Sequence, residues 1–187
     1  MWLAKFVFYK VMGWKIVGDF HQDIIKKSVI IVVPHTSWHD FYIGVFIRWV
    51  LKIEINFIAK KELFKWPFGW YFKWMGGESL DRTPGQNKVE AIAKIFEKKK
   101  EFRLSLAPEG TRKKVASLKT GYYYIAKAAN VPIVCVAFDW GVKIVKISEP
   151  FYPTEDFIAD ILKIESFFIG VVGKKPEYSY DGNKLES

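Results

Sequence analysis

Three short clusters hold the groups that proton transfer and anion binding require. The first is Pro34-His35-Thr36-Ser37-Trp38-His39-Asp40. An imidazole serves as a general base near neutral pH when one ring nitrogen faces a substrate hydroxyl and a carboxylate holds the other. Asp40 reaches His35 if the segment crosses a turn into the first turn of a helix, with Thr36 or Ser37 as its N-cap. A histidine satisfied by its neighbours is the plainer alternative. His35 and His39 also stand four apart, like helical zinc ligands, with Asp40 as a further donor. Against that, Thr36 fills the place of a metalloprotease glutamate and His21 is the only other histidine, so no metal is expected.

The second cluster, Gly76-Gly77-Glu78-Ser79-Leu80-Asp81-Arg82-Thr83, reads as a glycine turn and a very short extended piece. It ends near an exposed arginine whose planar fork suits phosphate, or a local Asp81–Arg82 ion pair. The third is Leu106-Ala107-Pro108-Glu109-Gly110-Thr111-Arg112-Lys113-Lys114. Gly110 lets backbone N–H groups approach an anion, Thr111 donates a hydrogen bond, and Arg112 clamps phosphate; Glu109 orders the basic groups or binds an acceptor hydroxyl. A solvated basic loop is the rival reading. A fourth segment, Val131-Pro132-Ile133-Val134, leads into an apolar run and by itself indicates packing.

These groups need elements to hold them. Apolar, β-branched runs at 28–33, 55–60, 102–107, 132–138 and 142–147 read as strands. Between them, 38–51 is apolar and aromatic, and Val89, Ile92 and Phe96 mark one face of a helix whose other side carries Lys88, Glu90, Glu97 and Lys98. Continuous apolar strands alternating with helices predict an α/β domain with a mainly parallel central sheet flanked by helices and a ligand site beyond the strands' carboxyl ends. A last helix is expected near Thr154, with Glu155 and Asp156 in its first turn and Phe157, Ile161, Ile164 and Phe168 packed inward. The tail, 174–187, reads as loose.

Residues 1–15 are apolar but carry Lys5, Lys10 and Lys15. Five-residue spacing turns about 140° per step, so the lysines cannot share a polar face. A helix lying in a membrane surface, its lysine stems reaching outward, fits that pattern; a first helix packed on the domain is the alternative. The longest stretch free of Asp, Glu, Lys and Arg, Ser28 to His39, is too short to span a bilayer. No small-residue cleavage site follows the apolar start, so a signal peptide is not expected.

The 187 residues fit one domain, and 50% hydrophobic with 18% aromatic residues excludes disorder. The surplus of aromatics suits a half-wet interface. A net charge of +9 favours phosphate, anionic lipid or nucleic acid without choosing among them. The single cysteine, Cys135, lies in an apolar run and forms no internal disulfide, which points to an intracellular setting.

The order HxxxxD, GxxxxDR, PEGTR and VPI, with the intervening Ala59-Lys60-Lys61-Glu62-Leu63 and Pro67-Phe68-Gly69-Trp70, resembles the glycerolipid acyltransferase family typified by bacterial 1-acylglycerol-3-phosphate acyltransferase. The likeness runs roughly from Val29 to Phe138. It implies transfer of an acyl group from a coenzyme A or acyl-carrier-protein thioester to a lysophospholipid hydroxyl, without an acyl-enzyme or any further cofactor. His35 takes the place of the family base and Asp40 of its orienting acid. Glu109, Gly110, Thr111 and Arg112 match the motif assigned to the acceptor's glycerol phosphate, with Arg82 helping. Lys60 and Lys61 are further phosphate contacts, and Pro132 matches the motif linked to the acyl-donor side. The implied location is the cytoplasmic face of a membrane, with no nucleic acid partner. Glu78, Ser79, His39 and Ala107 depart from the usual pattern, which leaves the acceptor open between 1-acylglycerol-3-phosphate and another lyso-lipid, such as an amino-acid lipid. A non-catalytic basic module that binds lipid or nucleic acid would account for the charge and the aromatics, but not for the ordered motifs.

Overall fold

The computed structural model describes residues 2–60, 64–67, 69–80 and 87–182, with backbone alone at Ala59, Lys60 and Leu80. Its centre is a five-stranded sheet in the order β1 (Lys15–Val17), β7 (Ile144–Ile147), β6 (Ile133–Asp139), β2 (Lys27–Val32), β5 (Phe102–Leu106). β2 runs parallel to β5 on one side and to β6 on the other. β7 returns antiparallel to β6, and β1 lies parallel to β7 at the edge. β3 (Phe57–Lys60) and β4 (Gly77–Leu80) form a separate parallel pair, joined to the main sheet by a bridge between Asn56 and Leu104.

Two apolar layers cover the sheet, and period-two alternation assigns each strand residue to one of them. Val29, Ile31, Val33, Ile133, Cys135 and Ala137 face the layer built by α4 (Lys88–Lys98), α5 (Gly121–Ala129) and α6 (Phe157–Ser166). Ile30, Val134, Val136 and Phe138 face the other layer, with Ile43, Ile47 and Val50 of α2 (His39–Leu51). The buried stripe Asp40, Ile43, Ile47, Val50 follows helical periodicity and fixes how α2 lies on the sheet. The expected α/β architecture is thus present, and β2, the middle one of the three mutually parallel strands β6, β2 and β5, ends three residues before His35.

Several local readings change. α6 starts at Phe157 because Asp156 acts as its N-cap, accepting from Ala159 N at 3.0 Å. α1 (Trp2–Phe6) continues as a π-helical turn, Val7–Val11, and helix stops there instead of reaching residue 15. Gly13 at φ +71° turns the chain into β1, a strand too short for its pattern to register in the sequence. Phe8 and Trp14 are buried against the α2 layer, whereas Trp2, Leu3 and Val11 are exposed, so packed and outward-facing apolar residues share this segment. Among the described residues no helix is long and apolar enough to cross a membrane.

The tail is not loose over 174–182. Gly173 N donates to Ser179 Oγ at 2.9 Å, Lys175 N donates to Thr36 Oγ1 at 3.1 Å, and Pro176–Tyr178 forms a 3-10 turn. Tyr180, 2% exposed, completes the helix-side layer. Its polar neighbours hide that anchor from a reading by composition. Tyr180→Ala is therefore expected to lower unfolding free energy by about 3 kcal/mol in a denaturant titration, as for other buried aromatics cut to alanine; a loose tail would leave the midpoint unmoved.

Candidate active site

The segment from β2 into α2 is shaped by one carboxylate. Asp40 Oδ2 lies 3.2 Å from His35 Nδ1 and accepts from Ser37 N at 2.9 Å. Asp40 Oδ1 accepts from Trp140 Nε1 at 2.8 Å. Its side chain is 1% exposed and that of His35 24%. Three donors around a buried carboxylate fit the rule that buried charge must be paired and hydrogen-bonded. With Nδ1 turned to Asp40, the hydrogen-bond pattern assigns the Nδ1–H tautomer and leaves Nε2 as the nitrogen for a substrate. The N-cap of α2 is Trp38, with no side-chain cap, and not Thr36 or Ser37; Ser37 Oγ accepts from His39 N at 3.3 Å one residue earlier in the turn. His39 turns Nδ1 to Ser37 Oγ at 2.9 Å and stacks on Trp38.

The loop after β5 meets this segment directly. Glu109 Oε2 accepts from His35 N at 2.6 Å. The side chain is buried, and burial pushes its carboxyl up to about 7; the His35 amide and imidazole pull the other way, and Asp40 adds to the rise. The structure thus places Glu109 under His35 as a brace between two loops, and not on the open face expected of an acceptor ligand. Gly110 is at φ +65°, in the left-handed region that favours glycine in this turn. Thr111 Oγ1 accepts from Lys113 N at 3.3 Å, and Arg112 is exposed.

Two cavities meet at His35. A shallow one of about 460 Å³ is bounded by His35, Ala107, Gly110, Thr111, Arg112 and Lys113. A deeper one of about 490 Å³ runs between α2 and the sheet, past Phe41, Gly44, Ile47, Val136 and Phe138 to Arg48. His35, Ala107 and Arg112 border both. Gly44 lies on the Asp40 face of α2, and a Cβ there would meet nothing within 4 Å. The deep cavity is apolar apart from a few groups, as a site for a hydrocarbon chain must be.

Not every expected residue comes to this point. Arg82 and Lys61 lie outside the described residues, as does the side chain of Lys60, whose backbone ends β3. Pro132 precedes β6 and its carbonyl accepts from Val29 N, which puts it at the amino end of the sheet, a strand's length from His35. It lines neither cavity. Trp140, which follows β6, was not among the residues expected from the sequence, and Thr36, expected as an N-cap, instead accepts from Lys175 N. The rule that sites gather at the carboxyl ends of parallel strands was the signal for Trp140.

Fold and site together define an α/β protein with a histidine–carboxylate pair between a cationic loop and an apolar cavity. The chain belongs to the Acyltransferase family, whose model matches residues 16–139. It is 29% identical to the 1-acyl-sn-glycerol-3-phosphate acyltransferase of Saccharomyces cerevisiae, covering 85% of this chain and 60% of that protein. The Streptococcus pneumoniae protein of the same name is 31% identical over 67% of this chain and 49% of its own length. The chain therefore spans about half the length of the curated relatives it matches. The solved structure of the 1-acyl-sn-glycerophosphate (LPA) acyltransferase PlsC from Thermotoga maritima shares the fold, with a TM-score of 0.59 at 24% identity over 88% of this chain and 73% of that one.

The Glu109 carboxyl makes the site's stability depend on pH. Its native value, about 7, stands above the ordinary 4.5, so the native state holds more protons between the two. Its contribution is then fully present below about pH 4.5 and is lost as pH rises through about 7. Denaturant midpoints of wild type and Glu109→Gln across this range check it: wild type should lose stability relative to the variant as pH rises, and a constant difference would contradict the raised value.

Proposed function

We propose that this protein is an O-acyltransferase that moves a fatty acyl group from a coenzyme A or acyl-carrier-protein thioester to a lysophospholipid hydroxyl, with 1-acylglycerol-3-phosphate as the leading acceptor. The observation that carries this reading is that His35 stands at the junction of the two cavities, one cationic and one apolar. A phosphate-bearing acceptor needs the first and a long acyl chain the second.

His35 Nε2 takes the acceptor hydroxyl's proton as its oxygen attacks the thioester carbonyl. The new C–O bond forms, the C–S bond breaks, and the departing sulfur takes the proton back from the imidazolium, so ester and free thiol are the products. Asp40 fixes the ring and offsets the transient positive charge. The thioester is already activated, so positioning and proton transfer suffice without a metal or redox cofactor. Arg112, Thr111 and Lys113 hold the acceptor phosphate. The apolar cavity shelters the chain, whose exposure to water costs ~0.8 kcal/mol per methylene.

Access to such lipids calls for a membrane surface. Trp2 and Leu3 of α1 and Trp70 and Trp74 of α3 (Gly69–Trp74) are exposed, and with a charge of +9 they suit a peripheral position on anionic lipid.

Thiol release from a long-chain acyl thioester in detergent, with a panel of lyso-lipid acceptors and product masses, tests the reading. His35→Ala is expected to abolish acceptor-dependent release with little change in thermal unfolding. Equal activity in that variant would remove the general base. Arg112→Ala is expected to raise KM for a phosphate-bearing acceptor by roughly tenfold or more while kcat changes little, since a phosphate clamp acts in binding. An unaltered acceptor KM would contradict the clamp, and a product from an amino-acid lipid alone would replace the acceptor.

A further inference from the structure

Trp140 is the member of the site that neither the motifs nor the proposed chemistry accounts for. It stands in the turn between β6 and β7, a hundred residues from Asp40, yet its indole N–H donates to Asp40 Oδ1 at 2.8 Å. The other Asp40 oxygen is shared by Ser37 N and His35 Nδ1. Without Trp140, Oδ1 would be a buried carboxylate oxygen with no donor among the described residues, and the carboxylate could rotate about its Cβ–Cγ bond away from the imidazole.

The indole is itself held on several sides. Trp14 meets it edge-on at 5.0 Å and His39 at 6.2 Å. Its backbone N donates to Val172 O at 2.8 Å. The next residues of that segment carry Lys174, whose Nζ lies 4.4 Å from the indole centroid, and Lys175, whose N donates to Thr36 Oγ1 beside His35. Gly173 must be glycine for this approach, because a Cβ would come within 2.6 Å of Thr36 Cγ2. The ordered 173–180 segment thus presses a cation onto the indole face, and that charge draws density from the ring and makes its N–H a stronger donor toward the carboxylate.

Resting on the acyltransferase reading above, we propose that Trp140 is a positioning residue for that reaction: its indole N–H, polarised by Lys174, locks the Asp40 carboxylate in the orientation that holds His35 as a base. It touches neither substrate, so its loss should act on turnover and not on binding. The carboxylates and carbonyls that orient metal-bound histidines govern activity by roughly 10- to 100-fold, and an indole that orients the acid behind His35 is expected to act on the same scale.

The test removes the N–H while keeping the shape. Trp140→Phe and replacement of Trp140 by benzothienylalanine, an isostere with sulfur in place of N–H, are both expected to lower kcat roughly 10- to 100-fold with both KM values unchanged. Lys174→Met should give a smaller loss of the same kind. An isostere with wild-type kcat would overturn the proposal, since it would show that Trp140 only fills space. A readout independent of turnover is the Trp140 indole N–H resonance, the one missing from the Trp140→Phe spectrum. It should shift in Asp40→Asn, and an unmoved resonance would equally overturn the contact. Wild type that transfers to no acceptor would instead overturn the functional reading, leaving the resonance to decide the contact by itself.

Discussion

The carboxylate of Asp40 is the interaction on which the local structure depends. A charge with 1% of its side chain exposed survives only if its lone pairs are occupied, and the three donors that occupy them come from different parts of the fold. Ser37 comes from the turn before α2, His35 from the segment just past the end of β2, and Trp140 from the far end of β6. Satisfying one buried acid therefore fixes where α2 starts, how the imidazole is turned, and how the β6–β7 turn closes over the sheet. The His35 amide is fixed in turn by Glu109, so the loop after β5 is drawn to the same point.

That convergence explains how a parallel sheet makes a two-sided site. β2, β5 and β6 end side by side, and the loops leaving them have opposite characters. The loop after β5 is cationic, with Arg112, Lys113 and Lys114, while the start of α2 turns Phe41 and Gly44 toward an apolar cavity. A lipid acceptor and an acyl donor are each part ionic and part hydrocarbon, and a base at the border between the two environments can reach a hydroxyl and a carbonyl at once.

Much of this was legible in the sequence where the interaction is local. The five-residue spacing of His35 and Asp40 crosses one turn, so the pair could be placed by chain geometry alone, and alternating apolar strands gave the two covered faces of the sheet. What was not legible is carried by contacts far apart in the chain. Glu109 reads as an acid that orders the neighbouring cations or binds an acceptor hydroxyl, and its position under His35 follows from β5 lying beside β2, which brings together residues 74 apart. Trp140 reads as one more aromatic among eight tryptophans until β6 is seen to deliver it to Asp40. The family resemblance linked Pro132 to the acyl-donor side, and strand direction places it at the amino end of the sheet. A residue before a parallel strand lies at the opposite end of the sheet from one after its neighbour. The tail misled because its buried anchor, Tyr180, follows a run of lysine, proline and glutamate.

The central claim is that His35 stands between a bound acyl chain and a bound phosphate. The most direct measurement is a crystal structure with a long-chain thioether analogue of an acyl thioester and a lysophospholipid. The account predicts the acyl chain along Phe41 and Gly44, the phosphate at Arg112, and the acceptor hydroxyl within hydrogen-bond distance of His35 Nε2. An acyl chain bound elsewhere with the apolar cavity empty, or a phosphate held away from the loop after β5, would contradict it.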